Sequence, residues 1–332
     1  MSGALPDVRF PPVGRCIYCG ATTARPGGRG RLTEEHIIPF ALDGHMILPE
    51  ASCDSCQKIT SGFETAVLRG GYRPMREWLG MSSRAKGRPK TLPMFVDTGK
   101  GTKRVDVPVD IYPVSLLVPV QPVPTLLLDR FGPSPAGGPP IWARMIAGDS
   151  AALEAMGLPG AASQSLDAFA CFRMVAKIAH CMAIATFGFG SFEPLLLDCI
   201  LNGWDDAQEA FIGSLPGIEP PATAMHRVDL SPPGWRDGDG DLLIAKVRLF
   251  ARYGAPTFLV VVGRRPPSRR RRYPDRALCI RPGKGLYHDV RAVWPHRGPR
   301  SNSNARRAAA RSASPGEARH GRHCPRHTCR ID

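Results

Sequence analysis

The chain lacks an apolar run of signal-peptide length near its first residues, which read MSGALPDVRF. It also lacks a regular disulfide framework, because six of its ten cysteines lie scattered after residue 170. Secreted small domains hold evenly spaced cysteines in disulfides, whereas cytoplasmic proteins keep their thiols reduced. These absences predict a cytoplasmic, reducing location in which most of the later thiols act as small buried hydrophobes.

A long uninterrupted hydrophobic stretch is missing as well. The most apolar segment, residues 165–188, carries Asp167, Arg173, Lys177 and His180, so we expect a central buried helix and no membrane span. Three of these polar residues (173, 177 and 180) fall on one helical stripe. We interpret the stripe as the wet face of a half-buried helix; the alternative is a face that binds phosphate or a partner.

Acidic residues are nearly absent from the C-terminal part of the chain. Residues 264–332 hold 19 basic and 4 acidic residues, which accounts for the whole net charge of +15. Apolar periodicity is also missing there, so we expect a disordered, Arg-rich tail. Two interpretations stay open: a nucleic-acid-binding arm that raises affinity without selecting a sequence, or an unselected extension of a protein that ends near residue 260.

Two Cys-x-x-Cys pairs stand out against these absences, one in CIYCG and one in SCDSC. Each pair places two sulfurs on one side of a metal, and two pairs can surround a zinc ion tetrahedrally. Between Cys19 and Cys53 lie 33 residues, more than zinc fingers use, so that segment should hold structure of its own. We predict a structural Zn²⁺ site formed by Cys16, Cys19, Cys53 and Cys56. The alternatives are two disulfides or four unrelated thiols.

The segment between the two cysteine pairs contains LTEEHIIPF, in which Glu35 precedes His36 and Pro39 follows three residues later. Together with the cysteine pairs, this order resembles the HNH endonucleases, whose core is two strands and a helix around one metal. The resemblance covers roughly residues 16–68, about a sixth of the chain. It implies a zinc-braced ββα-metal module whose helix starts near Cys56. The apolar residues expected to cover the strands are Ile59, Phe63, Val67 and Leu68.

The resemblance also implies roles for single residues. Glu35 matches the acidic ligand of a catalytic divalent metal, Mg²⁺ or Mn²⁺, and His36 matches the general base. Gln57 falls where many relatives have an Asn or His that completes the metal site. The implied reaction is hydrolysis of a phosphodiester bond, in which a neutral imidazole takes a proton from water. We therefore predict a metal-dependent endonuclease acting on DNA, with RNA as a further substrate to compare.

The chain departs from the family in the same region. Gln57 is one methylene longer than Asn and so a looser ligand, and the Asn that many relatives carry between the His and the second cysteine pair is absent. Asp43 or His45 could substitute, although loop residues of this kind are usually just solvated. These departures keep a second function open: a catalytically inactive zinc module that binds nucleic acid or a protein partner.

Two sets of basic residues flank the motif and could track a phosphate backbone. They consist of Arg25, Arg29 and Arg31 before it, and Arg84, Lys86, Arg88 and Lys90 after it. A solvated loop explains the first set equally well, and a solvated linker explains the second slightly better. In the tail, a few Cys and His residues could imitate a zinc site, but we favour a solvated segment. They are His320, His323, Cys324, His327 and Cys329.

Composition divides the chain into three parts. Residues 1–90 hold the HNH-like module and its basic linker, with 13 basic and 8 acidic residues. Residues 91–263, with 12 basic and 17 acidic residues, form a second domain of unassigned role. Its strand candidates are residues 105–120, 125–131 and 140–147, and a hairpin at 241–263. The predicted fold class is therefore α+β, with the Arg-rich tail as the third part.

Overall fold

The structure, a computed structural model, describes residues 6–265 except for short gaps. The gaps are residues 26–29, 98, 129–138, 159–163, 204, 216, 218, 232–234 and 237–240; for 205–207, 235 and 236 it describes the backbone alone. Within the described residues the fold is α+β, as predicted. The predicted tail lies outside them, apart from residues 264 and 265.

The strands and helices alternate irregularly along the chain. The strands are β1 (Val8–Arg9), β2 (Thr33–His36), β3 (Met46–Ser52), β4 (Thr91–Asp97), β5 (Thr102–Pro108), β6 (Val114–Pro119), β7 (Ile141–Ala147), β8 (Glu193–Pro194), β9 (Ile212–Ser214), β10 (Arg227–Leu230), β11 (Trp235–Arg236), β12 (Asp241–Arg248) and β13 (Phe258–Arg265). The helices are α1 (Asp54–Arg69), α2 (Arg73–Leu79), α3 (Ser150–Ala155), α4 (Ala168–Phe187), α5 (Leu197–Asn202) and α6 (Asp205–Phe211).

The N-terminal sheet has the order β1-β3-β2, with β2 antiparallel and β1 parallel to β3. The β2–β3 register sets Glu35 opposite Leu48 and His36 opposite Ile47. Between these strands the chain makes a 3₁₀ turn and then passes close to its own backbone at Gly44. A Cβ at that position would lie 1.8 Å from the Ile38 carbonyl oxygen, so the turn requires glycine.

Helix α1 follows directly after β3. Phe63 and Val67 are buried one turn apart, as the apolar periodicity predicted. Ile59 is 38% exposed, so its predicted packing against the strands is wrong. The buried stripe also includes Cys56 and Thr60, and it therefore centres to one side of Ile59.

Helix α4 is the central helix of the protein, as predicted for residues 165–188. The Asp167 side chain caps its N-terminus by accepting a hydrogen bond from the Ala170 N–H at 2.9 Å. The helix is long and apolar enough to cross a membrane, but 78% of the apolar window is buried inside the protein. A core helix has this property, because it is covered by protein on most sides.

A six-stranded antiparallel sheet packs against α4. Its main order is β10-β12-β13-β8, with β11 added beside β12 and β9 beside β13. The predicted hairpin of residues 241–263 is confirmed as β12 and β13, and β13 continues to Arg265, two residues into the predicted tail. Two further hairpins, β4–β5 and β6–β7, complete the strands. The strand expected at residues 125–131 is wrong in its first part, because Thr125–Leu127 form a 3₁₀ turn after Pro124.

The larger of two hydrophobic core clusters among the described residues extends from Cys16 in the N-terminal module to Val262 in β13. It crosses the predicted boundary at residue 90. For example, the ring of Tyr72 packs edge-on against that of Phe250, with 5.1 Å between centroids. The division of the sequence into residues 1–90 and 91–263 stays a prediction, and the described parts on its two sides share this core.

Candidate functional site

The four predicted cysteines lie together. Their sulfur atoms are all within 4.8 Å of one another, and the Cys19 and Cys53 sulfurs are 3.7 Å apart. A tetrahedral zinc ion with Zn–S bonds of about 2.3 Å separates its sulfurs by about 3.8 Å. All four cysteines are free in this structure, and the 3.7 Å between the Cys19 and Cys53 sulfurs is much longer than the S–S bond of about 2.05 Å. The cluster is therefore compatible with a zinc ion.

Local structure positions each pair of cysteines. In the first pair, the Cys16 N–H donates to the Ala21 carbonyl at 2.7 Å, and Gly20 closes the turn with a positive φ of 76°. In the second pair, Cys53 is the N-cap residue of α1 and Cys56 lies in its first turn. The cluster thus joins the N-terminal loop to the point where β3 passes into α1.

Burial does not shift the pKa values of these thiols uniformly, because that of Cys53 is lowered by hydrogen bonds from the other cysteines despite its burial. Burial raises the pKa of the Cys16 thiol and that of the Cys56 thiol. Without a cation both groups would be protonated at neutral pH. A bound divalent ion reverses this preference, because a coordinating thiol loses its proton.

His36 is the last residue of β2, and its side chain is half-buried. The ring lies edge-on to the ring of Phe40, with 5.8 Å between centroids. Burial lowers the pKa of His36, and the positive charge of Lys177 lowers it further. The imidazole is therefore neutral at pH 7, the state in which it can accept a proton.

Glu35 points to the other side of β2, into the protein. Its Oε1 lies 2.7 Å from the Lys177 ammonium of α4, and the Glu64 Oε1 of α1 lies 3.0 Å from the same nitrogen. Lys177 also donates to the backbone carbonyl of His36. We call Lys177, Glu35 and Glu64 the lysine–glutamate triad. The side chain of Lys177 is fully buried, and those of Glu35 and Glu64 are 8% and 18% exposed.

This arrangement does not fit the divalent metal that the family resemblance implies. Glu35 already binds a cation, and a metal on the same carboxylate would lie beside the positive charge of Lys177. Gln57, the other predicted ligand, is exposed on the first turn of α1. Among the residues that the structure describes, the four cysteines are the only group of three or more Cys, His, Asp or Glu placed to hold a metal.

The residues considered as substitute ligands have other partners. The Asp43 carboxylate accepts a hydrogen bond from the Ser82 N–H at 2.7 Å. The His45 Nδ1 lies 3.5 Å from the Asp7 carboxylate. Neither arrangement points to a metal site.

The interpretation of the polar stripe on α4 as a wet face is wrong. Lys177 and His180 are buried, and the His180 Nε2 donates to the carbonyl of Ile17, inside the first cysteine pair, at 3.0 Å. Arg173 donates to the Ile200 carbonyl, and its guanidinium lies 4.9 Å from the centre of the Phe63 ring. The stripe therefore binds α4 to the N-terminal module.

Sequence reasoning missed Glu64 and the role of Lys177. Glu64 directly follows the predicted α1 residue Phe63, but no spacing rule distinguishes it from a solvated glutamate. Lys177 lies 141 residues after His36 in the chain. The one available signal was that Lys177 lies in a helix too apolar to have a solvent-exposed face, which indicates that the lysine is buried and has a polar partner.

Three of the seven flanking basic residues form ion pairs or hydrogen bonds with other parts of the protein. Arg25 pairs with Asp54 and Arg31 with Glu50, and Arg29 lies outside the described residues. Arg88 donates to the carbonyls of the loop after α2. Arg84 is different: it is exposed, its guanidinium lies 5.8 Å from the Phe40 ring centre, and its charge contributes to the lowered pKa of His36.

Comparison with protein-family models, with curated proteins and with solved structures finds no match to this chain. The resemblance to HNH endonucleases therefore depends on the motif residues alone.

Proposed function

We propose that this protein is a zinc-braced endonuclease of the HNH type that hydrolyses phosphodiester bonds in DNA. The order of elements supports this function: the β2–β3 hairpin leads into α1, one cysteine pair precedes the hairpin, and the other lies where β3 passes into α1. The observation that carries the proposal is the state of His36. It ends β2, remains partly accessible to solvent and has a lowered pKa.

In the proposed reaction, His36 is the general base. Its neutral imidazole takes a proton from a water molecule, and the resulting hydroxide attacks the phosphorus of the scissile ester. The P–O bond to the leaving oxygen breaks, this oxygen takes a proton from solvent, and the imidazolium returns its proton to solvent. Burial and the nearby charge of Lys177 keep the imidazole neutral before the step. Arg84, exposed beside Phe40, is placed to attract the phosphate to this side of the module.

The zinc ion has a structural role in this proposal. Four sulfur ligands fill its coordination sphere and leave no position for water or substrate. Its binding stabilises the fold, because the four thiolates are brought together only in the folded chain.

The predicted catalytic Mg²⁺ or Mn²⁺ at Glu35 and Gln57 has no support in the observed contacts, and we assign it no step. The same contacts favour a second candidate function, a catalytically inactive zinc module that binds nucleic acid or a protein partner. The specific observation is the Lys177 ammonium on Glu35. A cytoplasmic location remains part of the proposal under either function.

A nicking assay separates the two functions. The zinc-loaded full chain is incubated with supercoiled plasmid, with and without added Mg²⁺ or Mn²⁺, and an RNA substrate is tested in parallel. We expect nicking by the wild type and by His45→Ala, the matched histidine control, and at least about a 100-fold loss in His36→Ala. Plasmid binding without nicking supports the inactive module, and nicking that does not need His36 contradicts the proposed base.

A further inference from the structure

We propose that Lys177 takes the place of a divalent cation between Glu35 and Glu64, so that this acidic pair holds the protein's own ammonium group and no metal. The inference goes beyond the proposed function, because it concerns which cation the pair binds. It rests on the HNH resemblance only for the expectation that Glu35 is a metal ligand.

The first argument is the coordination of the ammonium nitrogen. Three oxygen atoms surround it: Glu35 Oε1 at 2.7 Å, Glu64 Oε1 at 3.0 Å and the carbonyl oxygen of His36. A lysine ammonium has three N–H donors. The His36 carbonyl accepts a hydrogen bond from the ammonium, and the two carboxylates form close ion pairs with it, so the protein itself supplies the anions that surround the cation. The oxygens come from a strand, a helix and the backbone, as the ligands of a bound ion often do.

The second argument is burial. The Lys177 side chain has no exposed surface, and its α4 neighbours Ala176 and Ile178 are also fully buried. To admit a metal, the ammonium would have to leave its three acceptors while its stem stays in the core. Burying an unpaired charge in this way is strongly unfavourable. A metal therefore does not readily displace the bound ammonium.

The third argument is position. The triad links three elements that come from distant parts of the chain: β2, α1 and α4. The hydrogen bond to the His36 carbonyl fixes the backbone of the proposed base. Lys177 is therefore a positioning residue. Like a bridging metal ion, its ammonium group links the strand β2 to the helix α1 and so fixes their separation. In this proposal it does not contact the substrate.

Manganese binding tests this inference without DNA. Free Mn²⁺ is measured by electron paramagnetic resonance during titration of the zinc-loaded full chain. We expect the wild type and Glu35→Gln to bind Mn²⁺ equally, because Glu35 contributes no site while Lys177 is present. Lys177→Met keeps the buried stem and vacates the position of the nitrogen. It should gain one site at least about ten-fold tighter than any in the wild type, and Lys177→Met with Glu35→Gln should lose it.

Two results would overturn the inference. One is a wild-type Mn²⁺ site that Glu35→Gln abolishes, and the other is a folded Lys177→Met protein that gains no site. If Lys177→Met does not fold, the comparison of wild type with Glu35→Gln decides alone. The outcome is also separate from that of the nicking assay: a protein that never cuts DNA can still show the predicted pattern of Mn²⁺ binding.

Discussion

Replacing Lys177 with methionine should destabilise the protein strongly at neutral pH. The substitution preserves most of the buried stem and removes the charge, which leaves Glu35 and Glu64 buried without their cation. Removing one partner of a buried ion pair costs about 3–5 kcal/mol. Total stabilities of domains are about 5–15 kcal/mol, so a large fraction is lost. For a protein of this size we expect a fall in melting temperature of roughly 6–20 °C.

The control is the neutral triad, Lys177→Met combined with Glu35→Gln and Glu64→Gln. Neutral replacements of a whole buried ion cluster are often tolerated, because the desolvation penalty disappears with the charges. We therefore expect the triple variant to recover most of the lost stability. Urea unfolding followed by circular dichroism at pH 7 measures all three proteins. The role of the charges would be refuted if Lys177→Met were as stable as the wild type. It would also be refuted if the triple variant had no higher free energy of unfolding than Lys177→Met.

The loss should also depend on pH. Burial already raises the pKa of Glu64 in the wild type. A raised carboxyl pKa means that the folded protein holds a proton that the unfolded chain releases. The free-energy cost of burying the charged carboxylate is therefore present above the unfolded pKa of about 4.3. It decreases as the pH falls towards that value, because the carboxyl group becomes protonated in the folded protein. The difference between wild type and Lys177→Met should be smaller at pH 5 than at pH 7.

Three further predictions concern the cysteine cluster, the buried histidines and the tail. Metal analysis should find one zinc per chain, and Cys53→Ser should lose it and unfold the N-terminal module, while Cys199→Ser should keep it. Burial lowers the pKa of His180 and that of His226 to about 4. Because the pKa of an unfolded histidine is about 6.5, the free energy of unfolding should have its full value above about pH 6.5. It should fall by about 2 kcal/mol per histidine by pH 5. Urea midpoints that do not change between pH 7 and 5 would contradict this. Truncation after Arg265 should leave a folded protein whose DNA binding is weaker and less sensitive to salt; an unfolded product would show that the boundary is misplaced.

The sequence predicted those elements whose formation depends on residues close together in the chain. The apolar run of α4 and the two strands β12 and β13 were found because side-chain periodicity reports which face is buried. The spacing of the cysteines predicted their cluster for a similar reason, since each pair is a single turn. The three leucines at residues 126–128 were misleading, because their apolar character is equally suited to a strand and to the 3₁₀ turn that follows Pro124.

Contacts between distant segments were beyond such signals. Nothing near Lys177 identifies Glu35 as its partner, because their proximity results from the packing of α4 against β2 and α1. A polar stripe on a helix is consistent with solvent and with a buried polar partner alike. The clustering of the four cysteines was therefore predictable from the sequence, whereas the surroundings of Glu35 required the three-dimensional structure.

The most direct test of the proposed function is the single-turnover cleavage rate of a labelled DNA duplex by His36→Ala relative to the wild type. Both proteins should have the same zinc content and the same circular dichroism spectrum. Loss of a general base slows a reaction by about 10²–10⁴-fold, and we predict a fall in this range. Equal rates for the two proteins would contradict the account.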